Sequence, residues 1–218
     1  VGGGLAGLFA AVEAVEHGAS VVLLDPRARL GGRARTDARR GARLNLGPHA
    51  LYRRGATQAH LDRLGIVVTG AAPPPHRTRF RVGDDVRRLP TRRQAGRLGR
   101  LLAAVLAGRH DDPALGTVPL AEWIDEHHLG GAAADGLRAL VRTTSYVDDV
   151  ERFSTAAALA QLRLGLRDGV RYLDGGWGTI VDALATRAGA SGAEGRCGAG
   201  ATSVTPDGTG WLVATQQG

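Results

Sequence analysis

The sequence predicts an α/β fold, with a parallel sheet flanked by helices and a mostly helical domain inserted into it. Three observations support this prediction. The chain opens on glycines spaced G-x-G-x-x-G, followed by a helical pattern and a short apolar strand. Its middle part has apolar residues at helical spacing, and a later glycine pair precedes another helical pattern. We therefore place the domains at 1–62, 63–167 and 168–218, with the last segment returning to the first domain.

The opening glycines and Asp25 have the layout of a Rossmann-like unit that binds a dinucleotide. Gly2 would permit a tight turn, Gly4 would let the backbone approach a pyrophosphate, and Gly7 would let the helix lie close to the sheet. The phosphates would meet the positive N-terminal end of that helix. Residues 20–24 form the next apolar strand, and the carboxylate of Asp25 at its end would accept hydrogen bonds from ribose hydroxyls.

Glycine is abundant in the chain, at 33 of 218 residues, so a glycine-rich turn that binds no ligand is the alternative interpretation of the opening. Only Val1 precedes the turn, whereas the motif normally follows a strand. We therefore expect a fragment that begins inside a truncated first strand.

The positive charge of the chain comes entirely from arginine, because the sequence contains no lysine and its net charge is +7. The absence of lysine excludes a Walker-A phosphate loop and Schiff-base chemistry from this chain. The arginines are scattered and few aromatic residues lie among them, so GC-rich coding explains them better than a nucleic-acid surface. Cys197 is the only cysteine, which excludes a disulfide within the chain and a cysteine-rich zinc site. We expect a cytoplasmic location.

Two further segments follow the apolar strand, Gly31-Gly32-Arg33-Ala34-Arg35-Thr36 and Gly47-Pro48-His49. Paired glycines between arginines can bring backbone N–H groups and a guanidinium to one anion, although a basic surface turn is the alternative. Together with the glycine-rich opening and Asp25, these segments resemble the flavin-dependent amine oxidase and phytoene desaturase superfamily. The resemblance is tight over the first fifty residues.

The resemblance implies FAD as the cofactor and assigns most of its binding residues. The pyrophosphate would lie on the glycine turn and on the segment that follows the strand, and the flavin ring would lie near Gly47, Pro48 and His49. The family usually has Glu at the ribose position, where Asp25 is one methylene shorter. The turn and phosphate residues implied in this way are Gly2, Gly3, Gly4, Leu5, Ala6, Gly7, Gly32 and Arg33. His49 and Tyr52 would be the polar side chains nearest the flavin, with packing at the domain junction as the alternative.

A third segment of the family's pattern begins at Asp174-Gly175-Gly176, where Asp174 stands in the place of the expected proline. Thr179 would cap the helix that follows. Two strands are expected next, at 196–205 and 211–215, joined by a turn at 206–208. By the resemblance, the first of these strands offers backbone atoms to the adenine at Ala201, where a valine is usual.

The middle of the chain predicts a substrate domain with a hairpin at 79–89 and four helices. The first helix, at 91–106, starts at Thr91 and has arginines on one face and an apolar stripe on another. A solvated basic face is the simpler interpretation, and peripheral contact with an anionic membrane is the alternative. The other helices are expected near 120–128, 132–144 and 155–166, the last capped by Ser154.

The sequence identifies neither a metal site nor a catalytic residue. His127 and His128 are adjacent, so their side chains do not share one helix face, and a solvated helix end is the better interpretation. The leading hypothesis is an FAD-dependent oxidoreductase that oxidises an apolar or amine small molecule by hydride transfer to the flavin. The alternatives are a truncated remnant that binds nothing and an NAD(P)-binding Rossmann protein. No nucleic-acid partner is expected.

Overall fold

The computed structural model describes residues 1–74, 79–82, 84–88 and 96–216. The chain divides into two compact units. The first unit comprises Val1–Leu51, Leu61–Ala71 and Tyr172–Gly218, and the second comprises Tyr52–His60 and Ala72–Arg171. The domain limits drawn from the sequence stay a prediction.

The helices and strands are numbered separately in chain order. The helices are α1 (Leu5–Glu16), α2 (Ala56–Arg63), α3 (Gly96–Leu106), α4 (Leu120–Glu126), α5 (Gly131–Ser145), α6 (Thr155–Arg167) and α7 (Gly178–Ala190). The strands are β1 (Val22–Asp25), β2 (Thr36–Arg39), β3 (Ala42–Asn45), β4 (Leu51–Tyr52), β5 (Gly70–Ala71), β6 (Arg79–Val82), β7 (Asp85–Arg88), β8 (Val170–Leu173), β9 (Glu194–Cys197), β10 (Ala201–Asp207) and β11 (Gly210–Thr215).

The first unit has a parallel strand pair with two helices beside it. β1 pairs with β9 so that Val22 lies opposite Glu194 and Asp25 lies opposite Cys197. The helices α1 and α7 contact each other, and each helix turns a row of apolar side chains inward at helical spacing. Leu8, Val12, Ile180 and Leu184 are completely buried as a result.

The other described strands form three hairpins and one small sheet. β2 and β3 form a hairpin in which Thr36 lies opposite Asn45. β10 and β11 form a second hairpin, and β4, β8 and β5 form a three-stranded sheet in that order. The hairpin expected near 79–89 is confirmed, since β6 pairs antiparallel with β7.

The second unit is mainly helical, with its own core. α3, α4, α5 and α6 contribute to it, and Trp123 on α4 is only 1% exposed. The hydroxyl of Ser154 accepts a hydrogen bond from the N–H of Ala157, which confirms the predicted cap of α6. The helices expected near 120–128, 132–144 and 155–166 are confirmed as α4, α5 and α6.

Two local predictions are wrong. The strand expected at 196–205 is two strands, β9 and β10, because Gly198 turns the chain at φ +71° and donates its N–H to the carbonyl of Arg27. Thr179 does not cap α7, because the helix begins one residue earlier and the hydroxyl of Thr179 donates to the carbonyl of Gly176.

The helix expected at 91–106 is described from Gly96 onward as α3, and Thr91 lies outside the described residues. Its apolar stripe is buried in the core of the second unit at Leu98, Leu101 and Val105, whereas Arg97 and Arg100 are exposed. Within the described ranges, no helix has the length and apolar character required to cross a bilayer. Membrane contact through 91–106 stays a prediction.

Candidate dinucleotide-binding site

The glycine turn of the first unit has the geometry that its spacing predicts. Gly2 has φ +91°, and its N–H donates to the carbonyl of Leu24 at 2.7 Å. A Cβ at Gly7 would lie 1.8 Å from the carbonyl oxygen of Gly2, so only glycine lets α1 approach the turn this closely. A Cβ at Gly3 would lie 2.3 Å from Cδ2 of Leu30, so the end of that side chain would have to move to admit it.

Gly4 differs from these glycines because no contact among the described residues requires a glycine there. Its backbone has φ −76° and ψ −177°, which any residue adopts, and a Cβ there would meet no atom within 4 Å. Gly4 is also the N-cap of α1, and no side chain caps the helix. The open space beside Gly4 therefore faces N–H groups at the start of α1, including those of Leu5 and Ala6, which an anion could satisfy.

The carboxylate of Asp25 fastens the glycine turn to the end of β1. Asp25 is only 5% exposed, its Oδ2 accepts the N–H of Gly3 at 2.8 Å, and its Oδ1 accepts the N–H of Arg27 at 2.8 Å. Each carboxylate oxygen has a further lone pair, so both remain able to accept a ribose hydroxyl. The sequence did not indicate the role of Asp25 in holding the turn.

The second glycine pair lies directly against the first. The N–H of Gly31 donates to the carbonyl of Gly3 at 2.6 Å, and a Cβ at Gly32 would lie 3.3 Å from the Cα of Gly4. Both glycines have positive φ, at 106° and 51°, which favours glycine at these positions. Arg33 follows them in a short 3₁₀ helix, is exposed, and has no ion-pair partner among the described residues.

The segment Gly47-Pro48-His49 lies beside Arg33. A Cβ at Gly47 would lie 2.6 Å from the carbonyl oxygen of Arg33 and 3.1 Å from its Cβ. Pro48 is partly buried and His49 is exposed. The structure thus brings together the glycine turn, the second glycine pair, Arg33 and Gly47, which the sequence places up to 45 positions apart.

The hairpin of β2 and β3 holds the start of α7, which sequence reasoning missed. The hydroxyl of Thr36 accepts the N–H of Gly178 at 2.9 Å, and Oδ1 of Asn45 accepts the N–H of Trp177 at 3.0 Å. Thr36 also donates to Asn45 at 2.8 Å. Two side-chain donors next to this contact, Nε of Arg35 and Nε1 of Trp177, are buried without a hydrogen-bond partner in the described part of the chain.

Ala201 lies at the start of β10, close in sequence to a contact with β1. The N–H of Ala199 donates to the backbone carbonyl of Asp25 at 3.0 Å. Gly200 is also close to β1, since a Cβ there would lie 2.9 Å from Cβ of Pro26. Ala201 therefore follows, two positions along the chain, a residue that contacts the end of β1. Its contact with an adenine stays a prediction.

Tyr52 is held by the second unit. Its hydroxyl donates to the carbonyl of Thr144, and burial, with a smaller effect from Tyr146, raises the pKa of Tyr52 to about 12. The two adjacent histidines also lie in this unit, where the ring of His127 stacks on Trp123 at 4.1 Å. No group of three or more His, Cys, Asp or Glu residues in the described ranges is arranged to hold a metal ion.

Part of the chain matches a known domain family, and the whole chain is similar in fold to solved structures. Residues 1–64 match the model of the NAD(P)-binding Rossmann-like domain family. The chain is similar in structure to an oxidoreductase from Methanosarcina mazei, at 16% identity and a TM-score of 0.76, over 99% of this chain and 54% of that one. It is also similar to putrescine oxidase bound to putrescine, at 21% identity and a TM-score of 0.72, over 99% of this chain and 53% of that one.

The fold is not confined to proteins named as oxidoreductases. Rab GDI from Plasmodium falciparum is similar at 13% identity and a TM-score of 0.59, over 100% of this chain and 61% of that one. The chain thus spans between 53% and 61% of the length of these three structures. At such identities the likeness is one of fold. Residues 1–64 therefore match a Rossmann-like NAD(P)-binding domain, and the chain shares the fold of these solved structures.

Proposed function

We propose that the chain binds FAD as part of a flavin-dependent oxidoreductase whose substrate is an amine or an apolar small molecule. The observation that carries the proposal is the open space beside Gly4, at the uncapped start of α1 and next to Gly32. No contact in the described part of the chain explains glycine at this position. A pyrophosphate that approaches the backbone there does explain it.

Each part of the site would have a separate role in holding the cofactor. The N–H groups of Leu5 and Ala6 would donate to the pyrophosphate, and the guanidinium of Arg33 would balance its charge. The free lone pairs of Asp25 would accept the ribose hydroxyls, because its other lone pairs already hold the turn. Bound FAD would supply the redox chemistry by accepting a hydride at flavin N5, and the protein would orient the reactants.

The substrate class is proposed from the resemblance to amine oxidases and phytoene desaturases. Among the structures similar to this chain, one is putrescine oxidase bound to putrescine, which is an amine. Oxidation of carbon by hydride transfer requires orientation and exclusion of water more than a protein base. We therefore assign no residue of this chain to proton transfer.

A second candidate function is NAD(P) binding without a flavin, which the family match of residues 1–64 favours. The two candidates differ in the second glycine pair and Arg33, which the flavoprotein resemblance requires and which a nicotinamide-only unit does not. Titration of the purified chain with FAD, NAD⁺ and NADP⁺ in separate experiments distinguishes them. We expect FAD to bind most tightly, measured by quenching of flavin fluorescence and by calorimetry.

Gly4→Ala tests whether the cofactor lies on the glycine turn. The new methyl group meets no described atom within 4 Å. The entropic gain of replacing glycine opposes the weaker preference of alanine for the N-cap position, so the free energy of unfolding should change by less than about 1 kcal/mol. The same methyl group would occupy the place of the pyrophosphate, and FAD affinity should fall about tenfold or more, or at least 1.4 kcal/mol. The measurements are urea unfolding and FAD titration of the same preparations.

Gly189→Ala is the matched control, because a Cβ at Gly189 in α7 also meets no atom within 4 Å. This variant should bind FAD as the parent chain does. If Gly4→Ala binds FAD as tightly as Gly189→Ala, the cofactor does not lie on the glycine turn. If the parent chain binds none of the three nucleotides, the proposed function is wrong.

A further inference from the structure

The second unit contains a basic cavity of about 420 Å³. It is lined by Arg53, Arg54, Arg167 and Asp168, so its guanidinium groups outnumber its carboxylates by three to one. Clefts of roughly this volume are typical of small-molecule sites, which begin at about 300 Å³. The cavity therefore has enough volume for a small ligand, and the charge of its lining favours a negatively charged one.

Backbone contacts fix two walls of this basic cavity. The N–H of Arg53 donates to the carbonyl of Gly169 at 3.1 Å. Gly169 has φ +75°, and a Cβ there would lie 3.9 Å from Cδ of Arg53, so the stem of that side chain runs past this turn. Arg167 is the last residue of α6, and Asp168 is its C-cap. The turn after α6 thus brings Arg167 next to Arg53.

The charges of the basic cavity are not balanced by the protein. Nε of Arg54 lies 3.8 Å from Oδ1 of Asp168, a loose ion pair with the arginine largely exposed. Arg53 and Arg167 have no ion-pair partner within the described ranges. Arg167 gains some stabilisation from the C-terminal end of α6, but Arg53 lies outside any helix and gains none. Arg53, Arg54 and Arg167 are all exposed, so water and salt screen the repulsion between them, and it is strongest at low ionic strength.

We propose that the basic cavity binds a phosphate group, carried either by a soluble phosphomonoester or by a lipid headgroup. A phosphate dianion matches the excess of two positive charges, and its tetrahedral oxygens accept the paired N–H groups of several arginines at once. Asp168 holds Arg54 in place at the rim of the cavity. The proposal rests on residues of the second unit and does not depend on FAD binding.

The test is phosphate binding by the full chain at low ionic strength. Inorganic phosphate is titrated by calorimetry, and vesicles of phosphatidylcholine with and without phosphatidic acid are used in a sedimentation assay. The double variant Arg53→Gln and Arg167→Gln should weaken binding about tenfold or more, because each charge-assisted hydrogen bond contributes roughly that factor. Arg53→Lys, which keeps the charge but loses the paired N–H groups, should show a smaller loss.

Two controls separate this site from other basic groups. The double variant Arg109→Gln and Arg152→Gln makes the same change in net charge at exposed positions elsewhere in the second unit, and it should bind within about twofold of the parent. Arg43→Gln removes an exposed guanidinium on β3 of the first unit and should also leave this binding unchanged. Circular dichroism of every variant shows whether it is folded.

Binding of inorganic phosphate identifies a soluble ligand, and binding only to vesicles that contain phosphatidic acid identifies a lipid headgroup. Either result supports the proposal when the Arg53 and Arg167 variant loses it and the controls keep it. The proposal fails if neither probe binds the parent chain, or if the Arg109 and Arg152 control loses as much affinity as the cavity variant.

Discussion

The glycines of the opening turn serve different physical purposes. Gly2 adopts a positive φ, and Gly7 allows α1 to lie close to the turn. Gly4 has neither of these properties. A substitution at Gly7 should therefore damage the fold, whereas a substitution at Gly4 should damage only what binds from outside. A glycine that the fold itself does not need, such as Gly4, is what we expect in a turn that binds a ligand.

The stability of the chain at alkaline pH tests whether Tyr52 is buried in the second unit as the structure describes. Burial raises the pKa of Tyr52 from 10.0 to about 12. The folded chain therefore keeps this proton between those values while the unfolded chain loses it, and the free energy of unfolding falls as pH rises through this window. Below pH 10 the contribution is fully present. We expect Tyr52→Phe to flatten this fall, measured by urea unfolding at several pH values.

The chain is suited to this measurement because it contains no lysine, whose titration would overlap the same range. Tyr172→Phe is the control, since the side chain of Tyr172 is about half exposed. Its stability profile should follow that of the parent between pH 10 and pH 12. If the free energy of unfolding of Tyr52→Phe falls with pH as steeply as that of the parent, folding does not raise the pKa of Tyr52.

At the scale of elements, the hairpin of β2 and β3 acts as the cap of α7. The first N–H groups of a helix need acceptors, and Trp177 at the N-cap position offers no side-chain acceptor. Thr36 and Asn45 supply these acceptors from the hairpin. The hairpin thereby links the segment after Gly31-Gly32 with the returning segment at Gly175-Gly176.

Thr36→Val tests this link, because valine keeps the shape and the strand preference but removes the hydroxyl. We expect the free energy of unfolding to fall by about 1 kcal/mol, the usual cost of losing a helix cap. Thr143→Val is the matched control, since the exposed Thr143 donates only to Ala139 within its own helix. The control should lie within about 0.5 kcal/mol of the parent in urea unfolding. Equal losses in both variants would contradict the capping role.

Local spacing predicted the elements whose stabilising contacts lie nearby in sequence. The helix α1, the approach of Gly7 to Gly2 and the cap at Ser154 belong to this class. Asp25 was predicted from its place at the end of the apolar strand, but its bond to Gly3 spans 22 positions and was not. The roles of Thr36 and Asn45 could not be predicted, since their partners at Gly178 and Trp177 are 142 and 132 residues away. The contact of Gly31 with Gly3 and the convergence of Arg53 and Arg167 likewise arise only from the folded chain.

At the scale of the molecule, each compact unit buries a separate apolar core. Leu8 belongs to the core of the first unit and Leu162 to that of the second, and both are completely buried. A core of this kind can in principle stabilise its own unit. Local changes in stability should therefore stay largely within the unit where they are made.

Paired cavity variants test this expectation. Leu8→Ala and Leu162→Ala should each lose about 2–5 kcal/mol of local stability, the range for a buried leucine. Hydrogen exchange measured by mass spectrometry should show faster exchange in α1, β1 and α7 for the first variant, and in α3, α5 and α6 for the second. Each variant serves as the control of the other. Faster exchange throughout the chain in both variants would instead show a single cooperative unit.

The pairing of β1 with β9 has a consequence for how the chain is made. Val22 can pair with Glu194 only after some 170 intervening residues have been synthesised. The helix α7, which packs against α1, is also synthesised late. Until then β1 lacks the strand partner that it has in the described structure, and an unpaired apolar strand is prone to join another chain. Contacts of such long range also form slowly. We therefore expect the rate of synthesis and early chaperone binding to decide how much of this protein escapes aggregation.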